Sequence, residues 1–167
     1  MADLAESTAL THTTQDELLE FIEAMRAIRR EFLKPADIVL EGAPVMHRLL
    51  ARGIDILNED QQRGCDDHYA RNLIHAEADG EMSLFAIVWK PGQWTPVHDH
   101  GSWGLVAVLK GALHERNYIR TDAMERANSG VELRRGGTSV LSPGSVTTFV
   151  PNPDHIHRAG VPHNWSE

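Results

Sequence analysis

The sequence predicts a mainly β protein: a barrel or sandwich of short strands preceded by α-helices. Three observations support this. From Tyr69 to Val161, short β-rich runs alternate with glycine and proline turns, the spacing of an all-β sandwich or barrel. Before them, residues 14–33 place apolar side chains at helical intervals. Across all 167 residues there is no internal repeat, low-complexity tract or linker-like stretch. The length suits one domain, 1–167, with enough chain to bury a core.

Residues 1–13 are small, polar and unpatterned, and are expected to form a loose end. Thr14-Gln15-Asp16-Glu17 has capping-box spacing, and Leu18, Phe21, Ile22, Met25, Ile28 and Phe32 then mark one helix face. Arg29, Arg30 and Lys34 sit near the far end, where cations complement the helix dipole. Pro35 and Gly42 break the pattern. Pro44 is expected to open a second helix through Val45, Met46, Leu49 and Leu50, stopping near Gly53. Residues 14–55 thus read as a helical cap. The barrel, 69–161, begins with Tyr69–Ala76 and Met82–Lys90, joined by a hairpin turn at Asp79-Gly80. Trp103–Leu109, Ala112–Arg120, Val131–Arg135, Thr138–Leu141, Val146–Val150 and Ile156–Val161 follow as strands. Gly111, Gly130, Gly136-Gly137 and Pro143-Gly144 punctuate them.

Composition narrows the function. A net charge of −8 with no basic run offers no footprint for nucleic acid. One cysteine, Cys65, excludes an intrachain disulfide and suits a reducing compartment; it reads as a free surface thiol. No leader pattern opens the chain and no apolar run approaches spanning length, so a cytoplasmic protein without a membrane partner is expected. The sequence does not set the oligomeric state.

The chemistry concentrates in Pro96-Val97-His98-Asp99-His100-Gly101-Ser102-Trp103-Gly104. On an extended segment His98 and His100 point the same way and can reach one metal ion, while Asp99 faces away. A third imidazole is available after the Pro143-Gly144 turn, from His155 or His157, which share a strand face. Three neutral imidazoles leave the metal's charge uncompensated and about three positions open if it is six-coordinate. An anionic substrate ligand is then favoured, a thiol as its thiolate. Imidazole suits iron, nickel, copper and zinc alike, although open positions and an electron-rich thiolate suit ferrous iron and dioxygen.

Gly92, five residues, His98-Asp99-His100 and the later Gly111 resemble the first cupin motif, with Gly104 or Leu105 where that motif carries a glutamate ligand. Tyr69–Leu73, Trp89–Gly92, Pro96–Gly104, Leu109–Glu115 and Asp154–Arg158 together resemble the cysteine dioxygenase family of cupins, in order over roughly 69–161. The resemblance implies a jelly-roll-like cupin β-barrel behind N-terminal α-helices. It implies Fe(II) held by His98, His100 and His157, with His155 a nearby pocket residue or an exposed one. Arg71 matches the arginine that binds a substrate carboxylate, and Tyr69, on the same strand face, would line the same pocket. Trp94 and Trp103 are expected as walls beside the histidines, and His114 as structural. Gly104 stands where mammalian members carry a cysteine cross-linked to a tyrosine, which glycine cannot form. The family's later Ser-x-His-x-Tyr motif is not matched by His163-Asn164-Trp165-Ser166. The activity implied is oxidation of L-cysteine with O2 to cysteine sulfinate. The alternatives are 3-mercaptopropionate or another small thiol as substrate, or a cupin that binds a ligand through metal without turning it over.

Overall fold

The described residues form two helices followed by strands that pair antiparallel, an architecture of cupin type. The computed structural model describes residues 2–51, 56–122 and 130–164. They fall into two compact units, 1–56 with 102–109 and 144–150, and 57–101 with 110–143 and 151–167.

In the first unit, α1 runs Ala2–Glu31 and α2 Pro35–Ala51. The start of α1 corrects the expected loose end: residues 2–13 are helical, as Leu4, Ala5, Glu6, Ala9 and Leu10, all good helix formers, allow. Thr14 therefore lies inside the helix and is not its cap. The second helix also starts earlier than expected. Pro35 takes the first turn, where a missing N–H costs nothing, and the Lys34 carbonyl accepts from Asp37 N and Ile38 N at 3.0 and 3.1 Å. Pro44 is internal instead. An internal proline costs about 3 kcal/mol. Burial of Val39, Met46 and Leu49 on the same helix offsets it, at roughly 1.5–3 kcal/mol each. The expected helical residues 52–55 lie outside those described.

Phe21, Ile22 and Met25 of α1 are buried, and Met25 is 1% exposed. Gly42 of α2 permits the close approach, since a Cβ there would stand 2.9 Å from Met25 Cε and 3.2 Å from Leu105 Cδ1. Beneath α2, β4 (Gly104–Ala107) pairs with β7 (Val146–Phe149). Gly104 lies opposite Phe149, and a Cβ on it would come within 2.1 Å of that ring. No side chain can occupy this position unless Phe149 moves.

The second unit holds the hairpin β1 (Ala70–Ala76) and β2 (Ser83–Val88), closed at Asp79-Gly80 as expected: Gly80 has φ 74° and Glu77 N donates to Met82 O at 2.9 Å. It also holds a four-stranded sheet in the order β3 (His98–His100), β8 (Asn152–Gly160), β5 (Leu113–Arg120), β6 (Leu133–Leu141). Pairing is nested along the chain, β3 with β8, β4 with β7 and β5 with β6, the jelly-roll pattern.

Three irregularities shape this sheet. The strands expected at 131–135 and 138–141 are one strand, β6. Gly136-Gly137 marks no turn; these two residues oppose the single Asn117, a β-bulge. On β8, His157 faces His98 but Asn152 faces His100, so 153–156 bow out of the β3 ladder. Ahead of β3, residues 92–95 already run along β8, with Thr95 N bonded to Ala159 O at 2.8 Å and Trp94 bridged to Gly160. Between that bridge and the His98–His157 pair the register slips by one residue, which turns Trp94 to the other face of the sheet. Among the described residues no helix is long and apolar enough to cross a membrane.

Candidate metal centre

Strand alternation brings His98 and His100 to one face of β3, and Asp99 between them is exposed. Register supplies the third ring, because His157 of β8 is the residue opposite His98. The three ring centroids form a nearly equilateral triangle with sides of 4.9, 4.7 and 4.8 Å. One nitrogen from each ring lies within 4.8 Å of the others, the spacing of a metal site. His155 belongs to the stretch that bows away from β3, and its ring is 6.1 Å from His100. The same bow explains why β8 contributes His157 and not His155.

Hydrogen bonds decide which nitrogen each ring offers. His98 Nδ1 lies 2.9 Å from the Pro96 carbonyl, an acceptor only, so Nδ1 carries the proton and Nε2 the lone pair. His157 Nδ1 lies 2.5 Å from Glu115 Oε1, with the same result. The His157 Nε2 lone pair then meets His100 Nε2 at 2.7 Å. With its proton on Nε2, His100 donates a hydrogen bond to that lone pair; with the proton on Nδ1, both Nε2 lone pairs are open to one cation. The donor set therefore fits a divalent metal of the imidazole-binding kind. Glu115, His155 and His157 form a second possible group. There, the short Glu115–His157 contact already joins a donor to an acceptor and asks for nothing more. Burial first, then the neighbouring histidines, pushes His100 down to about 4, which keeps it neutral and available as a ligand near pH 7.

Glu115 is the functional residue that pattern reading missed. Its side chain is 13% exposed, and the His157 hydrogen bond, working against the opposing effect of burial, holds its carboxyl below the usual range. A carboxylate on the second nitrogen of a ligand histidine fixes the ring and raises its basicity. The signal available in sequence was an acidic residue at inward parity on a strand, visible only once β5 is paired with β8. His155 Nε2 stands 3.8 Å from the same oxygen.

Tyr69 and Arg71 do come together, lining a cleft of about 410 Å3 with His68. Tyr69 stacks on Trp89 at 5.8 Å, and the Arg71 guanidinium lies over Phe85 at 4.5 Å. Arg71 is exposed. Asp66, a neighbouring carboxylate in sequence, pairs with Lys90 instead. Among the described residues no hydrogen bond joins Tyr69 or Arg71 to the three histidines. Cys65 Sγ lies 3.8 Å from His68 Nε2 and is a free thiol. Trp94, expected as a wall of the histidine site, stacks with Arg116 and Arg158 instead, a consequence of the register slip before β3. His114 is part of β5, as expected.

Residues 63–158 match the family model described as cysteine dioxygenase type I. The matched stretch contains all three histidines, Glu115, Tyr69 and Arg71.

Proposed function

Because the chain belongs to the cysteine dioxygenase type I family, we propose that it is a mononuclear non-haem iron dioxygenase acting on L-cysteine in the cytoplasm. The observation that most supports this is the donor set. Among the described residues three imidazoles converge without a carboxylate between them, and Glu115 is held one step back on His157. Such a set leaves the charge of a divalent ion uncompensated, so an anionic sulfur is the favoured incoming ligand. Bound ferrous iron would supply the open positions and the redox partner for dioxygen. The net conversion is R–SH + O2 → R–SO2H: the S–H and O–O bonds break, both oxygens end on sulfur, and sulfur is oxidised as dioxygen is reduced.

The chain's own residues hold and orient. The Pro96 carbonyl and Glu115 stop the His98 and His157 rings from turning, keeping each Nε2 lone pair free. Arg71, with no carboxylate partner among the described residues, offers a planar fork of N–H donors to the substrate carboxylate. Tyr69 shares that cleft and walls the carboxylate end.

Metal analysis combined with oxygen uptake on a thiol panel, with sulfinate detection, tests this reading. Iron-loaded protein should consume one dioxygen per cysteine and oxidise cysteamine, which lacks the carboxylate, poorly. Arg71→Gln should shift preference toward 3-mercaptopropionate without changing iron content. Faster turnover of 3-mercaptopropionate by the parent would make that the substrate. Failure to oxidise any thiol would leave a metal-dependent ligand-binding cupin.

A further inference from the structure

Behind the histidines, on the opposite face of the same two strands, Arg116 of β5 and Arg158 of β8 are direct cross-strand neighbours. Both are half-buried, and both guanidinium carbons lie over the Trp94 ring, at 4.2 and 4.7 Å from its centroid. We propose that Arg116, Arg158 and Trp94 form a binding site for a small tetrahedral oxyanion, a phosphate or sulfate group, separate from the metal centre.

Like charges directly opposite on paired strands destabilise a sheet, and this chain has the means to avoid that. It carries 24 acidic against 16 basic residues. Elsewhere it pairs Arg26 with Glu23, Arg63 with Asp60 and Arg120 with Asp122. Neither Arg116 nor Arg158 has a carboxylate partner among the described residues. Arg158 Nε is in addition buried without a hydrogen-bond partner, and groups of that kind are normally satisfied. Contact with Trp94 leaves the N–H edges of both guanidinium groups without a hydrogen-bond partner among the described residues. Two such edges of like charge suit a ligand with several oxygens and about two negative charges. Gly160 permits the close approach of Trp94, since a Cβ there would fall 2.7 Å from Trp94 Cα and 2.3 Å from Gln93 O.

Calorimetric titration of the metal-loaded full chain with sulfate and with phosphate, at ionic strength held constant by chloride, tests the site. Saturable one-to-one binding is expected, weakened roughly tenfold or more by either Arg116→Gln or Arg158→Gln, the scale of one charge-assisted hydrogen bond. Arg116→Glu, which sets a carboxylate beside Arg158, should remove binding while leaving the melting temperature at or above that of the parent. Glycerol phosphate binding more tightly than inorganic phosphate would identify a phosphorylated metabolite as the source, and the reverse order a free ion. No saturable binding of either ion would overturn the proposal. Binding unchanged in both glutamine variants would also overturn it, by assigning the anion to the metal.

Discussion

The β5–β8 strand pair presents two faces of opposite demand, and adjacent residues serve them. His157 and Glu115 face one way, Arg158 and Arg116 the other. On the first face, three imidazoles converge so that one nitrogen of each can share a single cation. On the second, two cations crowd without a carboxylate. A period of two residues is enough to keep these environments apart within one strand pair. The difference shows that charge at a site is set by which face a residue takes, not by the overall balance of the chain.

The contrast is broken most severely at residue 157. His157→Ala should lose most bound metal, measured by elemental analysis after desalting, whereas Arg158→Ala one residue on should retain it. Equal loss in both would mean that the two faces are not independent. Next comes Glu115→Gln. It keeps the shape but not the charge behind His157, and should weaken metal binding roughly tenfold to a hundredfold. Competition against a chelator would read this, and an unchanged affinity would reduce Glu115 to a packing role.

Acid separates the faces more gently. In the metal-free chain His100 resists a proton that the unfolded chain accepts at its ordinary value of 6.5, since its folded value is about 4. That stability is present above pH 6.5 and is lost as pH falls toward 4. The Glu115 shift has the same sign, lower on the pH scale. Arginines do not titrate in this range, so the acid slope in urea melts should flatten in His100→Gln and persist in Arg116→Gln. The smallest effect belongs to His155→Ala. With its ring outside the three-histidine group, metal content should stay at the parental level.

Much of this could be read from the chain before any strand was paired. Alternation alone aligned His98 with His100, and the Asp79-Gly80 turn and the strand-rich second half were placed by turn chemistry. What escaped reading depends on cross-strand register. Glu115 has meaning only because β5 lies beside β8, and Trp94 changes face through a slip of one residue ahead of His98. Gly136-Gly137 looks like a turn in one dimension and is a bulge in two. The start of α1 escaped for another reason, since helix propensity without an apolar stripe leaves no periodic signal.

The bulge on β6 also bears on how this sheet tolerates insertions and deletions. Strand β5 is paired on both edges, yet its two ladders differ. Toward β8 the register is unbroken from His114 to Tyr118, while toward β6 it shifts at Asn117, the residue opposite His157. Around β5, slack is therefore gathered on the side of the edge strand β6. A residue gained or lost within β6 or in the connection leading into it can be absorbed at the paired glycines, leaving the span between Glu115 and His157 unaltered.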